Sequence, residues 1–173
     1  MVSNLKNLKI YKMFNDVTTP RFASRGSACF DLHAYISKDH GIESFTDAGS
    51  KKIPKQIRPD RSVVIYPNER ILITTGIIMD IPVRHSVRLH ARSGNAFKKG
   101  LTLANGEGII DNDYVEEVMC MMHNISDMNV LINNGDRLCQ GELIEDLVYE
   151  IDEIEDRPKS KTDREGGFGS TGE

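Results

Sequence analysis

Apolar positions in this chain come in short runs cut by Pro, Asn and Gly. Residues 62–66 (SVVIY), 71–74 (ILIT) and 77–81 (IIMDI) are bounded in this way, and the pattern predicts strands. Pro67-Asn68-Glu69 and Asn133-Asn134-Gly135-Asp136 supply turns between them. Residues 118–125 (VMCMMHNI) are almost all apolar, which predicts a strand buried on both faces or lying against a partner subunit. One stretch opposes an all-β reading: Leu143, Ile144, Leu147, Val148 and Ile151 recur at helical spacing, so periodicity alone predicts an amphipathic helix there. The polar segment 37–60, with scattered Gly and Pro, predicts a long loop or a small surface excursion. Beyond Ile154 the text EDRPKSKTDREGGFGSTGE has four glycines in its last eight residues and little to contribute to a core, so a mobile arm is expected over 156–173, after a β domain at 1–155.

A chain of 173 residues fits one such domain, and a domain of this size buries roughly 70% of the surface its unfolded chain exposes. The opening MVSNLKNLKIYKMF has no sustained apolar stretch or small-residue cleavage site, and no run approaches the roughly 20 apolar residues of a membrane span. A soluble, cytoplasmic protein is expected. The net charge of −4 disfavours a broad cationic surface for polymeric nucleic acid, so any anionic ligand is small and met locally. Cys29, Cys120 and Cys139 are odd in number and far apart, and read as small apolar fillers.

Candidate chemistry lies in four further segments. Arg92-Ser93-Gly94 follows the strand-like SVRLHA, where a cation, a hydroxyl and backbone N–H groups can surround a phosphate; on its own the triplet reads equally as a surface turn. Residues 105–114 (NGEGIIDNDY) read as a hairpin with a solvated tip, yet a carboxylate there beside an aromatic ring also suits a water-activating base next to a sugar. Residues 135–140 (GDRLCQ) read as a turn into a strand. The tail's GGFGSTG carries a lone Phe168 between glycines and hydroxyls, which suits a flap whose ring stacks on something flat.

In this order the segments resemble the five motifs of the trimeric dUTP diphosphatase family: 27–34 (SACFDLHA), 91–96 (ARSGNA), 105–118 (NGEGIIDNDYVEEV), 135–140 (GDRLCQ) and 164–172 (REGGFGSTG). The connecting 67–82 (PNERILITTGIIMDIP) is similar to the family's paired strands as well. The resemblance implies a jelly-roll-like subunit, a homotrimer with shared active sites, and Mg²⁺-dependent hydrolysis of dUTP to dUMP and pyrophosphate. It further implies Asp111 as the base that activates water, with Asp113 structural. Ser93, Gly94 and Gln140 would hold phosphate oxygens, with Arg92 the cation at a subunit boundary. Tyr114 would pack beneath the deoxyribose, while Asn105 and the backbone of Ile109, Ile110 and Met119 would line the uracil hairpin. Asp31 would reach the metal through water. In the arm, Phe168 and Gly169 would cover the base, and Arg164, Ser170 and Thr171 would meet the terminal phosphates.

The chain departs from the motifs at Cys29, where the first usually has Gly, at Asn95, where the second usually has Leu, and at Glu116, where the third usually has Gly. The last change raises the prospect of a strained positive φ. Arg164 also stands one residue nearer the glycines than usual. Two rivals remain: a dCTP deaminase of the same fold, which should lack both IIDNDY and GGFGSTG, and a non-catalytic regulatory protein on the same scaffold, which would not need Asp111. His33, His40, His85, His90 and His123 form no HExxH, which weakens a zinc hydrolase reading.

Overall fold

The structure, a computed structural model, describes residues 6–39, 42–46 and 53–163. In chain order it runs β1 (Lys9–Lys12), β2 (Arg21–Phe22), β3 (Phe30–His33), β4 (Glu43–Phe45), β5 (Ile53–Pro54), β6 (Ser62–Ile65), β7 (Arg70–Thr74), β8 (Ile77–Asp80) and β9 (His85–Ala91). It continues through α1 (Ser93–Lys99), β10 (Leu101–Leu103), β11 (Gly108–Ile110), β12 (Met119–Asn124), β13 (Val130–Asn133) and β14 (Arg137–Glu145). Two antiparallel five-stranded sheets, ordered β10-β12-β7-β4-β5 and β11-β9-β14-β3-β2, are joined by the two-stranded ribbons β1-β8 and β13-β6. The result is a jelly-roll-like β fold, as the punctuated apolar runs imply. Among the described residues no helix is long and apolar enough to cross a membrane.

The core is built by alternation. Strand β7 presents Ile71 and Ile73 inward and β9 presents Val87 and Leu89, all nearly solvent-free, as a two-residue side-chain period requires. Cys120 of one large sheet and Cys139 of the other meet in the middle, with their thiols 3.2 Å apart and both fully buried. The Cys120 thiol is held well above its usual range, first by its hydrogen bond to Cys139 and then by burial. Gly141 of β14 leaves room for Phe30: a Cβ there would sit 2.5 Å from the ring.

Three expectations are corrected. Of the two readings of 118–125, burial on both faces within the chain fails: in β12 Cys120 and Met122 point into the core while Met119 and Met121 are each 40% exposed. The helix suggested over 143–151 does not form. Leu143 and Ile144 belong to β14, where they pair with Val87 and Ser86 of β9, and Leu147, Val148 and Ile151 follow as exposed, irregular chain. Sheet pairing over nine residues outweighs a helical period that has no surface of its own chain to cover.

Segment 37–60, expected as a loop or excursion, instead extends a sheet: β4 pairs with β7 and β5 pairs with β4. Ile42 is buried beneath it. Lys55, just past β5, places its ammonium 2.8 and 2.7 Å from the two carboxylate oxygens of Glu69, and the two side chains are only 8% and 3% exposed. Glu69 Oε2 also accepts the Tyr66 backbone N–H. This buried ion pair seals the β4–β5 hairpin to the body.

Candidate active site

The outer face of the β11-β9-β14-β3-β2 sheet carries the polar residues. Register places Gln140 of β14 opposite His90 of β9 on one side and opposite Asp31 of β3 on the other, so these three lie in one row. Arg92 continues the β9 strand with extended φ/ψ of −82° and 128° and therefore shares that face. Its Nε donates to Asp31 Oδ1 at 2.9 Å, while Arg137 Nη1 donates to Asp31 Oδ2 at 3.2 Å. Both oxygens of this mostly buried carboxylate are thus engaged by guanidinium groups.

Directly after Arg92 the chain turns into α1, which the sequence reading did not anticipate at this turn-like triplet. Ser93 and Gly94 are exposed in its first turn, where backbone N–H groups have no partner within a helix. The helix ends at Gly100, which adopts a left-handed φ of 59° and donates its N–H to Asn95 O. Asn95, a departure from the second motif, has a specific task. Its buried amide donates to the carbonyls of Arg137 and Leu138 at 2.9 and 3.0 Å, tying α1 to the start of β14. Arg92, Ser93 and Gln140 are held near one another for this reason.

A cleft of about 600 Å³ opens beside the row, lined by Lys12, Thr18, Thr19, Arg21, Asp31, His33 and Arg137 among others. Lys12, Arg21, Arg92 and Arg137 outnumber the single carboxylate there, so a chain of net charge −4 still offers a locally cationic surface. Burial holds the His33 imidazole below its usual range; Asp31 opposes this, and Arg137 and Arg92 add to it. The sequence reading gave no role to Lys12, Arg21, His33 or Arg137. Arg137 lay within the quoted GDRLCQ, and Arg21 is located only by its pairing with Asp31.

The second group of candidate residues lies elsewhere. β10 and β12 pair as the two arms of a hairpin, but β11, between them in sequence, leaves to pair with β9 of the opposite sheet. The simple hairpin expected over 105–114 is therefore replaced by a chain that crosses between sheets. Asn105 and Gly106 turn out of β10, with Gly106 at φ 73°, and Ile109 is 53% exposed on β11. Asp111 follows β11 as an exposed residue, and its carbonyl accepts the Tyr114 N–H at 3.1 Å. Among the described residues its carboxylate has no partner. Tyr114 Oη donates to Glu117 O at 3.0 Å. Glu116 is exposed and is not among the positive-φ residues, so the strain considered at that position is absent.

The two groups do not meet within one chain. Because Ile110 pairs with Val87, Asp111 stands next to Ser86, six residues along β9 from Arg92. At ~3.3 Å per residue that is a separation of roughly 20 Å. Arg164, Phe168, Gly169, Ser170 and Thr171 lie outside the described residues.

Residues 56–172 match the dUTPase family model. The chain is 34% identical over 166 residues to the deoxyuridine 5'-triphosphate nucleotidohydrolase of Hydrogenobaculum sp. (strain Y04AAS1), covering 95% of this chain and 97% of that one. It is 36% identical over 155 residues to the enzyme of the same name from Brucella melitensis biotype 2, covering 88% and 83%. Among solved structures, the dUTPase of Streptococcus mutans superposes with a TM-score of 0.62 at 22% identity, over 84% of this chain and 99% of that one. The Staphylococcus bacteriophage 80alpha dUTPase with dUPNHPP superposes with a TM-score of 0.71 at 18% identity, over 97% and 99%.

Proposed function

This chain belongs to the dUTPase family and hydrolyses dUTP to dUMP, and we propose that it does so with release of pyrophosphate at centres shared between the copies of a homotrimer. The observation that carries the proposal is the separation along β9. Along β9 a base at Asp111 is about 20 Å from the cradle's Arg92 and about 13 Å from Gln140, which pairs with His90, too far within one chain to act on one phosphorus. Bringing the 105–119 segment of one copy against the cradle of another removes the gap. The exposed Met119, Met121 and Ile125, and the uncovered Leu147, Val148 and Ile151 beyond β14, supply apolar surface for such packing.

In this reading Asp111 orients and deprotonates the water that attacks the α-phosphorus. Ser93, Gly94 and Gln140 hydrogen-bond the phosphate oxygens, and Arg92 stabilises the charge that develops on them. Asn105, Ile109, Ile110 and Met119 receive the uracil, and Tyr114 excludes a ribose 2′-hydroxyl. Recognition by defined donors and acceptors makes the wrong base costly, since it leaves polar groups unpaired. Phe168, Gly169, Arg164, Ser170 and Thr171 complete the site from the arm. Mg²⁺ bound with the triphosphate would neutralise part of its charge. Asp31 suits contact through water better than direct ligation, because both its oxygens already accept from arginines.

Pyrophosphate release from dUTP, dCTP, dTTP and UTP, with and without Mg²⁺, tests the assignment. Activity is expected with dUTP alone. Asp111→Asn should lower it by about 10²–10⁴, the range a general base contributes. An Asp111→Asn enzyme as active as the parent would remove Asp111 from the mechanism, and ammonia release from dCTP would reassign the reaction.

A further inference from the structure

We propose that Cys29, His90 and Glu142 form a binding site for a borderline divalent cation of the zinc class, on the same sheet face as Asp31 and Gln140 but sharing no ligand with them. The three residues come from adjacent strands of the outer sheet face. His90 lies on β9 and Glu142 on β14, while Cys29 immediately precedes β3, where the Gly141–Phe30 pairing sets it beside Glu142. One ligand atom from each residue lies within 4.8 Å of the other two. His90 Nε2 is 3.5 Å from Glu142 Oε2, and that nitrogen is out of contact with solvent and has no hydrogen-bond partner.

Ligands around a four-coordinate zinc, at ~2.0–2.3 Å from the metal, are separated by roughly 3.3–3.8 Å. The cluster closes to that spacing by side-chain adjustments of about 1 Å. A thiolate, an imidazole and a carboxylate are a donor set for zinc or cobalt, whereas magnesium and calcium take oxygen ligands. Three protein ligands leave one position for water. The other imidazole nitrogen, Nδ1, is 3.6 Å from Glu107 Oε1, and Glu107 in turn lies 3.8 Å from Arg88 Nη1. A metal-bound histidine is commonly oriented by such a carboxylate.

The site is independent of the family's chemistry, since Cys29 replaces the glycine usual in the first motif. It is also distinct from Asp31, whose carboxylate is turned toward Arg92 and Arg137. Burial, with Glu142 and Asp31 adding, pushes the Cys29 thiol up, so binding must release its proton and weakens in acid.

The test uses the full chain, stripped with a chelator and titrated with Co²⁺ alone, then with Zn²⁺. One equivalent per chain should produce a thiolate-to-cobalt charge-transfer band that Zn²⁺ removes. Cys29→Gly, which restores the usual motif residue, and His90→Ala should both abolish the band, and Glu142→Gln should weaken binding at least tenfold. Asp31→Asn should leave it intact. Absence of the band in the parent chain, or its survival in Cys29→Gly, would overturn the proposal.

Discussion

If each centre draws its base and its phosphate cradle from different copies, two inactive variants should rescue one another. Consider Asp111→Asn and the double variant Ser93→Ala/Gln140→Ala. Each alone should retain little activity, the first falling by about 10²–10⁴. The roughly 20 Å along β9 between Asp111 and Arg92 rules out any contribution from within one chain. In a randomly mixed oligomer made from equal amounts, a centre is intact when its base comes from the double variant and its cradle from Asp111→Asn. Each choice has a chance of one half, so about a quarter of centres should be whole. Co-expression with two different affinity tags, tandem purification and pyrophosphate release from dUTP measure this directly. Mixed oligomers no more active than their separate parents would refute the shared-centre reasoning.

Other expectations concern the scaffold. Gly141→Ala should destabilise by about 1–3 kcal/mol in thermal unfolding, because the new methyl meets the Phe30 ring at 2.5 Å; Phe30→Leu should relieve part of that cost. Lys55→Met strands the buried carboxylate of Glu69 and should cost about 3–5 kcal/mol in urea unfolding, with Lys55→Met/Glu69→Gln recovering most of it. His33 is held below its usual range by burial, so as pH falls below about 6.5 the unfolded chain takes up this proton first and stability drops. A stability-versus-pH series on His33→Gln should show a shallower decline over that window; an identical slope would dismiss the contribution.

The strands of the core were legible because 71–74 is a short apolar run cut by turn residues and because Val87 and Leu89 alternate with Ser86, Arg88 and His90, both local signals. What failed locally was decided at a distance. Leu143 and Ile144 read as helical, yet β14 pairs with β9 from Cys139 to Glu145, and no sequence window contains both partners. The short helix after Arg92 was invisible because it opens on Ser93, Gly94 and Asn95, all poor helix formers; Gly100 closes it and Asn95 anchors it to β14. Candidate site residues were legible as motif fragments, but their grouping was not. That Arg137 and Arg92 grip Asp31, or that Asp111 lies at the far end of β9 from Arg92, depends on register alone. Cys29 and Asn95 looked like blemishes in motifs until their surroundings gave them neighbours.

The seal between Lys55 and Glu69 bears on how far this region tolerates change. A surface hairpin is ordinarily easy to trim, since trimming it exposes only what water can solvate. Here the trimmed protein would be left with an interior acid that had lost its counter-charge. Loss of Lys55 alone therefore carries a stability cost that its loss together with Glu69 does not, so the hairpin and the acid beneath it are bound to change together.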